Sequence, residues 1–270
     1  VYFFSGSKDA TGAALATGYR NTNIVLGIIV IIIMAVCVFS IVEINPPTQS
    51  AGKSSLIKDI GSLVKNKYYI MFLGEVFFLF LVYLSMYGAM QYYYTYIVGD
   101  VSGMSLALTL LTLLAIPTMI LAAYLNGKGI AKIKLIQFGA IVDIVGYAIL
   151  FFTSDGTIAT AALGLIGLGF GFRSSMFFSM MPDIFDYTEW QVGRNLGGTQ
   201  NAIQGFVNKV SSAAASAIVS ALLVWGNYDA AKLDKAVADG ISIAKEFPQT
   251  HTAINFAFGG LALVATILSI

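Results

Sequence analysis

Seven long apolar runs separated by short polar stretches set the pattern of the chain: Asn23–Val42, Ile70–Tyr94, Leu106–Leu125, Leu135–Phe152, Thr157–Met181, Ala202–Trp225 and Thr252–Ile270. Each comes within a few residues of the roughly 20 that cross a hydrocarbon core about 30 Å thick at about 1.5 Å per residue. None alternates with period two, and a lone apolar segment in lipid must satisfy its own backbone groups, so helices are predicted. The expected fold class is an all-α polytopic membrane protein with seven transmembrane helices. Residues 1–22 form an extracytoplasmic segment in this reading, 23–42 the first span, 43–69 a cytoplasmic loop, and 70–270 a six-helix bundle. In the loop, Asn45-Pro46-Pro47 stops the first helix. Leu56, Ile60, Leu63 and Val64 then recur at helical spacing, which predicts a short helix on the membrane surface, and the loop as a whole is expected to be a hinge between the first span and the six-helix bundle.

Composition supports a lipid-solvated chain. Of 270 residues, 57% are hydrophobic and 11% charged, with mean hydropathy +0.81; soluble domains carry about 25% charged residues. The net charge of +1 gives no global field that would draw nucleic acid. One cysteine, Cys37, and one histidine, His251, exclude an internal disulfide, a cysteine metal cluster and a multi-histidine metal centre. Basic residues set the expected orientation. Lys53, Lys58, Lys65, Lys67, Lys128, Lys132, Lys134 and Arg194 fall in loops of one side, against Lys8, Arg20, Lys232, Lys235 and Lys245 on the other. The side with more of them is predicted to be cytoplasmic. A start at Val1 and an apolar end at Ile270 lead to the expectation of a piece of a longer chain.

Four ionisable side chains lie within the runs: Glu75, Asp143, Arg173 and Lys209. At mid-membrane each costs about 2.5–3.5 kcal/mol on insertion scales, which makes each a functional candidate. Glu75 is near the end of its run and can reach water there. Asp143 and Arg173 can pair across neighbouring helices. Lys209 is flanked by Gln204, Asn208, Ser211 and Ser212 in a helix of small residues. Gln204 and Asn208 lie one turn apart on nearly one face, with Lys209 about 100° round the helix, so a broad polar stripe is expected to face a wet cavity. Gly167 and Gly171, with Gly164 and Gly169, predict close helix packing, as does the Ser211–Ser216 run. Tyr83 and Tyr87, one turn apart, can stack on a sugar face or simply pack, whereas Tyr92, Tyr93, Tyr94 and Tyr96 are expected as interfacial belt residues.

Between the fifth and sixth runs the chain reads Met181-Pro182-Asp183-Ile184-Phe185-Asp186-Tyr187-Thr188-Glu189-Trp190-Gln191-Val192-Gly193-Arg194, continuing to Gly197-Gly198 and Lys209. Asp183, Asp186, Tyr187, Glu189, Gly193, Arg194 and Lys209 match in order the pattern of the glycoside–pentoside–hexuronide cation symporters. This melibiose permease-like family belongs to the major facilitator superfamily. The Gly127–Lys134 loop is similar to the short basic loop between family helices eight and nine. One departure stands out: the family often has an acid two positions after the arginine, where this chain has Leu196.

The resemblance implies that the runs are helices six to twelve of twelve, with a partner N-terminal bundle outside this chain. It further implies a sugar or glycoside site between two bundles, coupling to sodium or protons, and a bacterial inner-membrane location. Lys209, Gln204, Asn208, Tyr83 and Tyr87 would serve the substrate and cation site. Asp183, Asp186, Tyr187, Glu189, Arg194, Lys128 and Lys132 would form a cytoplasmic gate. A fixed positive charge near partner carboxylates competes with a bound cation, and acids facing Lys128 and Lys132 can latch the bundles shut; as solvated loop charges they would contribute about 0–1 kcal/mol per pair. No other cofactor is expected.

A seven-helix receptor or pigment is the competing class, but retinal proteins carry their lysine in the last span, and Thr252–Ile270 has none. Paired histidines, a Ser-His-Asp set and a P-loop are all missing, which argues against an enzyme or an ATP-driven pump.

Overall fold

The structure, a computed structural model, describes residues 12–40 and 56–270. Lys8, the Asn45-Pro46-Pro47 stop and Lys53 lie outside the described residues, as do the start of the expected first segment and the first part of the expected 43–69 loop. Two compact units divide near residue 50. The first contains α1 (Gly12–Ser40), whose Ala16–Ser40 stretch has a mean hydropathy of 2.9 and carries apolar side chains on every face. The second holds everything from α2 onward. Among the described residues, seven helices are long and apolar enough to cross a membrane.

In the second unit α2 (Leu56–Lys65) leads through Asn66 into α3 (Lys67–Tyr92). Asn66 caps α3: its Oδ1 accepts from the backbone N–H of Tyr68 at 3.1 Å and Tyr69 at 3.3 Å. The span continues as a π-helical turn, Tyr93–Val98, and Gly99 ends it at φ 75°, a left-handed conformation that suits glycine. Then come α4 (Ser102–Gly127), α5 (Lys132–Phe152), α6 (Gly156–Val192) and α7 (Gly197–Trp225). After the short α8 (Ala230–Ala238) and α9 (Ile243–Glu246), the last span joins α10 (Pro248–Asn255), a π turn (Phe256–Gly260) and α11 (Leu261–Ser269).

Two three-helix groups build the bundle. In one, α6 packs between α4 and α5; in the other, α3 packs against α7 and α11. The first group is close because its glycines have no side chain to hold the helices apart. A Cβ on Gly139 of α5 would stand 2.6 Å from the Gly169 carbonyl oxygen of α6, and one on Gly171 would stand 2.5 Å from the Ala115 carbonyl of α4. Gly167 meets the backbone of Leu111 in the same way, so α6 is thin on two sides at once. In the second group Ser211 of α7 donates to the Phe77 carbonyl of α3, and Ala215, Val219 and Leu223 continue the buried face. The groups meet where the last span lies on α5.

Three sequence expectations change. The fifth run does not end at Met181: α6 continues through Pro182 to Val192, 37 residues or about 55 Å. Proline deletes one backbone hydrogen bond, and the rest of the ladder carries the helix past it. The acidic motif therefore sits on a helical extension beyond the hydrocarbon, not on a loop. The tyrosines at the end of α3 are not a lipid-facing belt, for Tyr93 and Tyr94 are fully buried and Tyr96 nearly so. Tyr93 donates to the Thr153 carbonyl at 3.1 Å, and Tyr96 donates to Asp234 at 3.0 Å while accepting from Tyr228 at 3.1 Å. The polar stretch after α7 folds α8 onto them through Leu233 and Ala236. There Asp229 caps α8, and hydrogen bonds from Lys232 hold its carboxyl below the usual range.

Candidate functional site

Three places in the second unit carry the polar chemistry: the core between the two helix groups, the α2 end of α6, and the open face of α7.

In the core, Arg173 of α6 is buried and points between the groups. Its Nη2 and Nε donate to Glu75 Oε1 of α3 at 2.8 and 3.0 Å, and Nη2 also donates to the Ser269 hydroxyl of α11 at 2.6 Å. Asp143 of α5 has no exposed surface and stands 3.9 Å from Arg173 Nη1. Among the described residues, neither Asp143 oxygen has a hydrogen-bond partner, nor do Arg173 Nη1 and the Tyr83 and Tyr147 hydroxyls beside them. The Asp143–Arg173 pairing that the sequence suggested is present as a loose ion pair at 3.9 Å, but the closer partner is Glu75, which does not simply reach out to water. A cavity of about 500 Å³ opens onto this cluster from the α2 end. Its floor includes Glu75, Arg173, Gln137 and Ser269, its walls are mostly apolar, and Asp183, Tyr68 and Tyr187 stand at its mouth.

The gate residues expected from the sequence divide. Lys132 of α5 pairs with Asp183 of α6 at 2.6 Å and also donates to the Ser179 carbonyl at 2.9 Å. Arg194 pairs with Asp59 of α2. Glu189 accepts from Asn195 at 2.8 Å, and Tyr187 meets Tyr68 edge-on at 5.2 Å. Asp186 is exposed, and Lys128 lies over the Tyr124 ring at 5.4 Å and pairs with none of these acids among the described residues. These contacts run within the second unit, from α6 to α5 and α2. Leu196, where the family often has an acid, is buried with Leu63, Tyr69 and Phe72, and Arg194 takes its counter-charge from α2 instead.

Sequence reasoning missed the polar hub beneath this end. The Thr188 hydroxyl accepts from Asn66 at 3.0 Å and from Gln200 at 3.1 Å, and donates to the Ile184 carbonyl at 2.7 Å. Tyr69 donates to the Gln200 carbonyl at 2.8 Å. The hub ties α3, α6 and α7 together. Asn66 was detectable as an N-cap before an apolar run; Thr188 and Gln200 had no distinguishing signal.

The α7 residues also divide. Lys209, its only charge, is exposed near the middle of the helix on a face with Asn201, Gly205, Ala213, Ser216 and Ser220, beside the exposed Phe206 and Val210. Gln204 is buried, Asn208 is half-buried, and the amide oxygen of each lacks a hydrogen-bond partner among the described residues. Tyr83 lies edge-on to Phe170 at 4.7 Å with its hydroxyl in the Arg173 cluster, while Tyr87 is exposed. The structure thus brings Tyr83 to Asp143 and Arg173 and leaves Lys209 on a different face.

Two comparisons bear on these features. The family model for MFS/sugar transport proteins matches residues 2–270. The inner membrane symporter YicJ of Escherichia coli strain K12 is 27% identical over 221 residues, which cover 80% of this chain and 46% of that protein. The chain thus spans about half the length of this curated relative. No solved structure matches.

Proposed function

Because the chain belongs to the MFS/sugar transport protein family, we propose that the complete protein is a secondary active transporter that moves a sugar or glycoside together with sodium or a proton by alternating access. The observation that carries this reading is Lys209, exposed at mid-helix on a strip of small and polar residues in a membrane span. Facing lipid, that ammonium would cost about 2.5–3.5 kcal/mol or more. Facing an aqueous passage shared with a second bundle, it is a fixed charge beside the transport path. A cation bound to carboxylates of that bundle competes with Lys209, so cation entry changes the geometry offered to the sugar. The likeness to YicJ, a symporter of the inner membrane, supports the same reading and location.

The charges at the α2 end serve the other half of alternating access. Lys132–Asp183 and Arg194–Asp59 brace the extension of α6 against α5 and α2, and exchange of these partners during opening moves the gate. The receptor or pigment reading finds no support in the family match. Uptake of a panel of glycosides by the reconstituted complete protein, driven by a sodium or proton gradient, tests the proposal. Lys209→Ala should abolish coupled uptake or separate it from the gradient; full coupled transport in that variant would overturn the assignment.

A further inference from the structure

The Arg173 cluster does something that the passage at Lys209 does not require. It contains two carboxylates and one guanidinium, so with both acids ionised it would hold one uncompensated negative charge in the bundle core. Arg173 spends two of its donors on Glu75 and none on Asp143 at hydrogen-bond distance. An ionised Asp143 with both oxygens orphaned, 3.9 Å from an equally orphaned Arg173 Nη1, would pull that group into contact. It has not done so. A neutral carboxylic acid needs no such closure and leaves Arg173 to Glu75.

We propose that Asp143, Arg173 and Glu75 form a proton-binding site inside the bundle, with the proton carried on an Asp143 carboxylate oxygen in this conformation. An alkali cation fits poorly, because Arg173 already brings a like charge to within 3.9 Å of the Asp143 oxygen. The cavity supplies the route: Glu75 and Arg173 line it, and Asp143 lies behind Arg173 outside that lining. Loss of the proton makes Asp143 the stronger partner; Arg173 turns Nη1 onto it and releases Glu75 to the cavity. The groups that face the site are Glu75, Tyr83 and Tyr87 from α3, Tyr147 from α5 and Arg173 from α6. From α11 comes the Ser269 hydroxyl, and the π turn Phe256–Gly260 on α5 brings no titratable side chain. A proton here changes which helix Arg173 holds, α3 or α5, and therefore how the two helix groups are joined. This goes beyond the transport reading and does not depend on it.

Infrared spectroscopy of the complete protein in lipid bilayers tests the proposal without any sugar. The expected result is a protonated-carboxyl C=O band at neutral pH that disappears on alkalinisation, shifts with ¹³C-aspartate labelling, is lost in Asp143→Asn and persists in Glu75→Gln. If Asp143→Asn does not fold, Asp143→Glu should move the band from the aspartate-labelled to the glutamate-labelled position. A band that is absent, that follows Glu75, or that sodium removes at constant pH would overturn the proposal. The transport assay with Lys209→Ala reads a different property, so either result can fail while the other stands.

Discussion

Arg173 and Glu75, 98 positions apart, meet with two N–H donors converging on one carboxylate oxygen at 2.8 and 3.0 Å. The pair joins α6 to α3 beside the Phe72–Phe177 and Tyr83–Phe170 ring contacts, and so helps to bridge the glycine-packed group to the serine- and alanine-packed one. Arg173 is 1% exposed and Glu75 16%, so the arginine is fully committed to the core while the carboxylate keeps one side to the cavity.

Removing the guanidinium leaves the Glu75 carboxylate in the core without its counter-ion. Arg173→Ala should therefore destabilise the protein by about 3–5 kcal/mol, the range for breaking a buried pair. Arg173→Lys should recover only part of this, since an ammonium lacks the fork that reaches Glu75 and Ser269 together. Thermal unfolding in detergent or lipid discs measures both.

The Lys132–Asp183 pair behaves differently because its side chains are 24% and 62% exposed. A double-mutant cycle should give a coupling of about 0–1 kcal/mol in stability. If the pair is part of the gate, the single Ala variants change the uptake rate out of proportion to that, and exchanging the two charges restores it.

Close approach of α5 and α6 predicts a sharp contrast between glycines. Gly139→Ala places a methyl 2.6 Å from the Gly169 carbonyl and should destabilise by about 1–3 kcal/mol through overpacking. Gly205→Ala, with nothing within 4 Å of its new methyl, should be neutral or stabilise by up to about 1 kcal/mol, read from the melting temperature.

Asn66 both caps α3 and feeds the Thr188 hub. Asn66→Ala should cost about 1–2 kcal/mol, with the cap as the larger part. Asn66→Asp keeps the acceptor for Tyr68 and Tyr69 but loses the donor to Thr188, so it should fall between the two. Denaturation of the three proteins side by side orders them.

Much of this molecule follows from local rules. Length and hydropathy alone place the spans, because lipid forces each apolar run to close its own hydrogen bonds. The glycines of α6 announce close packing, and the run from Asp183 to Arg194 announces the family. Tertiary structure decided the partners. Glu75 rather than Asp143 holds Arg173, Asp59 rather than a residue near position 196 holds Arg194, and Gln204 turns inward while Lys209 turns out. Helical periodicity places a side chain on a face, but which neighbour that face meets depends on crossing geometry set by residues far away in the chain. For the same reason the tyrosines of α3 read as a membrane belt and proved to be the floor beneath α8.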